Sequence, residues 1–153
     1  LDLSVYPINF ASMIFGENIT NISSSAVMTD TGVDAMDSIT LCFREGKMAV
    51  LAATMLAQTD RRGIVYGEKG YLVVDNINNP QKVSVFSLEW KEVAVYQVPE
   101  QITGYEYEVL SAIRAIEEGR IECPEMPHRE TIRIMKVMDE IRESWGMRFP
   151  FEA

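Results

Sequence analysis

The sequence contains neither of the glycine-rich loops that commonly hold nucleotides. There is no G-x-G-x-x-G turn and no Walker loop, and Gly67-x-x-Gly70 alone predicts only a turn. A single histidine, His128, excludes an H-x-x-x-H metal pair, and no G-x-S-x-G elbow marks a hydrolase serine. We therefore predict no cofactor-binding residue and no metal ligand within this chain.

Basic residues and long apolar runs are also scarce. The 14 Lys and Arg residues are outnumbered by 23 Asp and Glu, so the net charge of −9 argues against nucleic acid as a partner. No apolar run approaches the ~20 residues that span a bilayer, and no signal-peptide pattern is present. Cys42 and Cys123 lie far apart, with no His or Cys at ligand spacing. They are expected to be buried thiols in a reducing compartment, which favours a cytoplasmic protein.

What is present is enough apolar sequence for a core. The 153 residues are 47% hydrophobic, a length and composition typical of one globular domain. Residues 7–15, "PINFASMIF", are apolar nearly all round and predict a buried helix that ends at Gly16. Pro7 is either the first residue of this helix or a kink in a helix that begins earlier.

The middle of the chain is rich in predicted strands. Ile39, Leu41 and Phe43 alternate with polar or small residues, a period of two. Short turns at Arg44–Lys47 and Gly67–Gly70 predict antiparallel neighbours. The expected strands lie in residues 18–29, 34–45, 47–58, 62–76, 82–88 and 92–98.

Two amphipathic helices close the sequence. Thr103 and Glu106 are spaced as a capping box, which starts a helix that ends at Gly119. Its predicted core stripe is Val109, Ala112, Ile113 and Ile116. The second helix carries a stripe of Ile134, Met138, Ile141 and Trp145 and ends at Gly146. The predicted fold is α+β, an open, mostly antiparallel sheet of six or more strands with helices on one face.

The strand "MAVLAATML" is apolar on both of its faces. Met48, Val50 and Ala52 alternate with Ala49, Leu51 and Ala53, so both faces of the sheet should be covered. Only three helices are predicted, so a partner subunit or a partner domain is expected to cover the second face, and we favour a dimer interface.

Most polar clusters have an ordinary structural explanation. His128 precedes the last helix, where a cap or a solvated side chain is expected. The run Tyr105–Glu108 matches the preference of a helix N-terminus for acidic residues. Asp34 and Asp37 stand at the entry of a strand and are interpreted as turn and edge residues rather than metal ligands.

Asp2 and Tyr6 stand four residues apart, which places both side chains on one face of a helix. Taken alone they fit a structural role, because a phenol with a pKa of about 10 is a poor acid or base until something lowers that pKa.

The stretch "LDLSVYPINFASMIFG" resembles the segment that opens the C-terminal domain of the Gfo/Idh/MocA oxidoreductases. That segment reads roughly L-x-D-x-G-x-[Y/H] before an apolar helix. "GEKGYLVVDN" resembles a sheet turn of the family. The sequence from "GYEYEVL" to "MRFPFE" resembles the family's closing helices. The likeness covers essentially the whole chain.

Tyr6 stands where inositol dehydrogenases have histidine, which makes the chain similar to the glucose–fructose oxidoreductase and dihydrodiol dehydrogenase branch. Ser4 departs from the family's usual glycine. A serine beside the reacting centre is expected to narrow the substrate pocket.

The resemblance implies that residues 1–153 are the C-terminal α+β domain of a two-domain enzyme. The other half is a Rossmann domain that binds NAD or NADP, lies outside this chain and contributes a lysine from a Glu-Lys-Pro motif. By the same resemblance Tyr6 and Asp2 are catalytic, and Asn9 binds substrate. The expected partners are a sugar, polyol or diol substrate and a second copy of the chain.

The expected function is that of the substrate-binding and oligomerisation half of an oxidoreductase, inactive by itself. Two alternatives stay open. One is a non-enzymatic relative that senses a ligand or assembles a complex. The other is an autonomous hydrolase or isomerase with Tyr6 as its acid or base, which would need a convergent polar pocket within this chain.

Overall fold

The structure is a computed structural model, and it describes residues 1–152. The helices are α1 (Val5–Phe15), α2 (Glu106–Glu117) and α3 (His128–Ser144), with short 3-10 turns at Arg44–Gly46 and Pro150–Glu152. The strands are β1 (Ile19–Met28), β2 (Asp34–Phe43), β3 (Met48–Thr54), β4 (Gly63–Gly67), β5 (Gly70–Val74), β6 (Lys82–Ser87) and β7 (Glu92–Gln97).

The predicted α+β class is confirmed, and seven strands meet the expectation of six or more. Every strand pair is antiparallel. The strands are divided between two sheets, β1-β2-β3 and β4-β5-β6-β7. The chain also forms two compact units, one of residues 1–61 with the chain from Ile134 on, the other of residues 62–133.

In the first unit, β2 is the central strand, and its alternation separates core from surface. Ile39 lies opposite Ser24 of β1 and Leu51 of β3. Ile39, Leu41 and the residues in step with them are buried, whereas the intervening side chains are more exposed. The period of two seen in the sequence is therefore the inner and outer face of this sheet.

The inner face is covered by α1 and α3. Ile8 of α1 and Ile141 of α3 are completely buried, as are Ile39 and Leu41. The rings of Phe15 and Phe43 lie 5.4 Å apart at the end of α1. The full cluster of buried core residues is Leu1, Ile8, Ala11, Ile39, Leu41, Phe43, Ala49, Leu51, Ile134, Val137 and Ile141.

The second unit is built on the β4–β7 sheet. Tyr71 of β5 stacks on Phe86 of β6, with ring centroids 4.8 Å apart. The turn between β4 and β5 needs its glycine, because Gly70 has φ of 146° and a Cβ there would lie 2.0 Å from the carbonyl oxygen of Phe86. The predicted turn at Gly67–Gly70 is thus confirmed.

The two closing helices differ in how well their sequence pattern predicts burial. On α3, Ile134 and Ile141 are buried as expected. On α2 the predicted core stripe is wrong, because Ile113 and Ile116 are exposed while Ser111 and Ala115 are buried. Among residues 1–152, no helix combines the length and the apolar character needed to cross a membrane.

Truncation of the buried Ile39 side chain is expected to destabilise the fold strongly. We expect Ile39→Ala to lower the free energy of unfolding by about 2–5 kcal/mol, because it leaves a cavity at a fully buried site. Ile121→Ala is the matched control, since Ile121 is 88% exposed. Urea denaturation followed by circular dichroism measures both variants. Equal losses for the two would contradict this description of the core.

Candidate active face of α1

The candidate site begins in the turn that leads into α1. The N–H of Val5 donates to the carbonyl of Leu1 (3.2 Å), and Ser4 has helical backbone angles of −75° and −15°. The helix proper starts at Val5, so Pro7 lies within its first turn, where a missing N–H does no harm. Helical winding therefore extends back toward Asp2 and places Asp2 and Tyr6 one turn apart.

Asp2, Tyr6 and Asn9 differ in their exposure to solvent. Asp2 is exposed, and Tyr6 is 47% exposed. Asn9 is half-buried, and its side-chain amide donates to the carbonyl of Val5 (2.8 Å) within the same helix. The spacing of two, six and nine puts all three on one side of the helix, which we call the active face.

Ser4 points the other way. It is completely buried and does not line the active face, so the expectation that it narrows a substrate pocket is wrong. The reason is angular: Ser4 is two residues from both Asp2 and Tyr6, and a two-residue step turns the side chain by about 200° around a helix.

The hydroxyl of Ser4 donates a short hydrogen bond to Oδ2 of Asp37 on β2. Asp37 is only 4% exposed and lies on the central strand, so its interpretation as an edge residue is wrong. Burial raises the pKa of the Asp37 carboxyl above 3.8, while the hydrogen bond from Ser4 acts in the opposite direction. This contact was missed because a lone Asp in an alternating strand gives no indication of which buried group it meets.

The run Tyr105–Glu108 has the structural role that the sequence favoured. The carboxylate of Glu106 accepts from the backbone N–H of Ile102, Thr103 and Gly104, at 2.8, 2.7 and 2.9 Å. It also accepts from the hydroxyl of Thr103. The backbone N–H of Glu106 itself and that of Thr103, together with those of Ile102 and Gly104, lower the pKa of Glu106 from 4.5 to about 2. His128 is likewise structural, since it begins α3 with an exposed side chain.

The described residues do not fit a dinucleotide cradle. Such a cradle needs a strand, a glycine-rich turn and a helix of a parallel unit, whereas the strands here are all in antiparallel pairs. Among residues 1–152, no group of three or more His, Cys, Asp or Glu side chains is arranged to hold a metal ion.

An α+β domain that displays an acid and a phenol on one helix face matches a known class of domain. Residues 1–73 match the model of the GFO/IDH/MocA C-terminal domain. The chain is 29% identical to trans-1,2-dihydrobenzene-1,2-diol dehydrogenase of Danio rerio, over 96% of this chain and 46% of that protein. It is 24% identical to scyllo-inositol 2-dehydrogenase (NADP(+)) IolU of Bacillus subtilis, over 98% of this chain and 45% of that protein.

Solved structures share the fold of this chain. The 3-ketoreductase KijD10 from Actinomadura kijaniata, in complex with TDP-benzene and NADP, superposes with a TM-score of 0.76 and 19% identity, over 93% of this chain and 45% of that one. The chain is thus similar in sequence to dehydrogenases and, over residues 1–73, to the GFO/IDH/MocA C-terminal domain, and it shares its fold with KijD10. It spans about half the length of the curated relatives that it matches.

The Glu106 cap predicts a pH-dependent contribution to stability. A carboxyl whose pKa is lower in the folded state stabilises the fold fully above its unfolded value of 4.5, and that contribution disappears as the pH falls toward about 2. We expect Glu106→Gln to lower the melting temperature at pH 7, with the difference from wild type shrinking below pH 4.5.

Glu108→Gln is the control, because Glu108 lies in the same first turn but the amides that lead into α2 donate to Glu106. Thermal melts at several pH values measure the effect. A Glu106 difference that stayed constant down to pH 2 would contradict the assignment.

Proposed function

We propose that this chain is the substrate-binding and oligomerisation half of an NAD(P)-dependent oxidoreductase. The observation that carries the proposal is the active face of α1, where Asp2 and Tyr6 are both exposed and lie one turn apart. The alignment with dehydrogenases over nearly the whole chain supports it. The Rossmann domain that such an enzyme requires would lie outside this chain, which would bind no NAD(P) by itself.

The proposed substrate is a sugar, polyol or diol. A dihydrobenzene diol and an inositol, which the two related dehydrogenases are named for, share hydroxyl groups on neighbouring ring carbons. A hydroxylated ring of that kind needs one group to handle the proton of the reacting hydroxyl and others to orient the remaining hydroxyls. Tyr6 fits the first task, and Asp2 and Asn9 fit the second.

The proton chemistry determines what Tyr6 must do. The nicotinamide, bound by the other domain, would accept or supply the hydride. When the substrate is oxidised, its hydroxyl proton must leave as the C–H bond breaks, so a base is needed at that oxygen. The Tyr6 phenolate takes this proton, and in the reverse direction the phenol returns it. A cation from the other domain would favour the phenolate.

Tyr6 can be tested in a longer protein that restores the cofactor domain. We expect Tyr6→Phe to lower kcat by roughly 10²–10⁴-fold, the usual worth of a positioned acid or base, with the Kd for NAD(P)H nearly unchanged. Asp2→Asn should cost less, because orientation is weakened while the proton acceptor remains. Steady-state kinetics and fluorescence titration with the cofactor measure these effects.

Tyr96→Phe is the matched control, since Tyr96 is another exposed tyrosine, on β7. A Tyr6→Phe variant that kept half of the activity would show that Tyr6 is only a packing residue. A longer protein that bound a sugar or diol but neither cofactor would favour the ligand-sensing alternative.

The second part of the proposal is self-association through the outer face of the β1–β3 sheet. Val50 is 69% exposed and Met48 is 58% exposed, while their neighbours Ala49 and Leu51 lie in the core. The exposed apolar side chains of this face are Val27, Met36, Met48, Val50 and Ala52. An apolar patch of this kind marks an interaction surface, and two-fold pairing is the commonest way to cover one.

We expect Val50→Lys to convert the dimer of this chain to monomer, because pairing would bury an unpaired charge. Asn78→Lys is the control, since it adds the same charge at an exposed loop position. Sedimentation equilibrium on the two variants and on the wild type measures the association. A monomeric wild type at tens of micromolar would mean that another domain covers this face.

A further inference from the structure

One buried contact lies directly behind the active face. Ser4 sits between Asp2 and Tyr6 in the sequence, and its hydroxyl donates to Asp37 of β2, a residue 33 positions further along. Both residues are buried, Ser4 completely and Asp37 to 4% exposure. This side-chain hydrogen bond ties the turn that carries the active face to the central strand of the sheet, and the buried side chain of Leu1 packs in the same core.

The backbone of this turn is held by a small number of hydrogen bonds, one of them from the N–H of Val5 to the carbonyl of Leu1 (3.2 Å). The N–H of Tyr6 donates to the carbonyl of Leu3 at 3.4 Å, and the N–H of Ile8 donates to the carbonyl of Ser4 at 3.1 Å. Pro7 between them has no N–H to give. The first turn of a helix also lacks the backbone bonds that the following turns share. Its orientation therefore depends on side-chain contacts more than that of the rest of α1.

The acceptor is suited to hold such a turn. A carboxylate acceptor makes a stronger hydrogen bond than a neutral oxygen does. Among residues 1–152, the side-chain donor to Asp37 is the hydroxyl of Ser4, which bonds to Oδ2. The other carboxylate oxygen, Oδ1, has no hydrogen-bond partner among these residues. Two charged groups act on Asp37, the Asp34 carboxylate and the amino group of Leu1. Loss of the Ser4 hydroxyl would leave a buried acceptor without its donor, which is costly.

We propose that Asp37, acting through Ser4, is a positioning residue that sets the direction of the turn carrying Asp2 and Tyr6. The structural part of this proposal stands by itself, and the importance of the direction for catalysis rests on the function proposed above. It accounts for a polar residue at position 4 that faces inward, because the hydroxyl there donates to Asp37 in the sheet.

The same helix provides a matched control. Ser12 is also on the buried side of α1, 5% exposed, and its hydroxyl has no hydrogen-bond partner among residues 1–152. Ser12→Ala therefore removes the same atom from the same face without breaking a link to the sheet. Asp37→Asn provides a graded variant, because an amide oxygen can still accept from Ser4 but carries no charge.

Amide hydrogen exchange, measured by NMR on this chain without substrate or cofactor, tests the proposal. We expect Ser4→Ala to speed exchange at the amides of Tyr6 and Ile8 about tenfold or more, the usual worth of a hydrogen bond to a charged group. Asp37→Asn should give a smaller change. Ser12→Ala should leave these amides within about twofold of wild type, and the amides of Ile39 and Leu41 should change little in Ser4→Ala.

Two results would overturn the proposal. If Ser4→Ala sped exchange equally at Tyr6 and at Leu41, the pair would contribute to global stability without positioning the turn. If Ser4→Ala and Ser12→Ala behaved alike, the hydrogen bond would have no role at all. In a longer protein with the cofactor domain, Ser4→Ala should also lower kcat about tenfold while Ser12→Ala does not. If Tyr6 has no catalytic role, Ser4→Ala would not lower kcat in the longer protein, but it would still speed amide exchange at Tyr6 and Ile8.

Discussion

The packing of α1 on the inner face of the β1–β3 sheet determines where every candidate functional group lies. Ile8 and Ala11 are buried against that sheet. Because the angular period of a helix is fixed, burial of these residues also fixes the direction of the side chains two and three positions away. The same apolar contacts that stabilise the fold therefore expose Tyr6 and Asp2, and a shift of α1 by one residue would rotate both side chains by about 100°.

Buried polar groups in this unit are held in two different ways. Arg142 of α3 donates to both carboxylate oxygens of Glu152 at 2.7 Å and also pairs with Asp139. Its charge is compensated on several sides. Within residues 1–152, Asp37 receives one side-chain donor, Ser4. A buried charge with one donor is a weak source of net stability, which is why a specific orienting role explains it better than a general stabilising one.

The elements that could be predicted from sequence are those in which the spacing of apolar residues by itself shows which side is buried. The alternation of Ile39, Leu41 and Phe43 predicts a half-buried strand, and the stripe of Ile134 and Ile141 predicts the buried side of α3. The pattern on α2 failed because periodicity shows which side of a helix is apolar but not whether anything covers it. Ile113 and Ile116 lie on an apolar side that stays exposed.

Long-range polar contacts and sheet boundaries were beyond prediction for a related reason. The partner of Asp37 lies 33 residues away, and no local pattern connects a serine in a turn with a carboxylate in a strand. The division of seven strands into two sheets depends on pairing between segments, which short apolar runs do not encode. The likeness to a family, in contrast, predicts that Asp2, Tyr6 and Asn9 act together, and this stays a prediction.

The loop that leads into α2 contains backbone N–H groups of the kind that bind phosphate in other proteins. Three backbone N–H groups, those of Ile102, Thr103 and Gly104, converge on the carboxylate of Glu106. Convergent amides at the start of a helix are a general site for phosphate. Here a tethered anion already occupies them, and a free diphosphate would have to compete with an intramolecular ligand at high effective concentration. The Glu106 carboxylate therefore already occupies the amides that a phosphate would need at this end of α2.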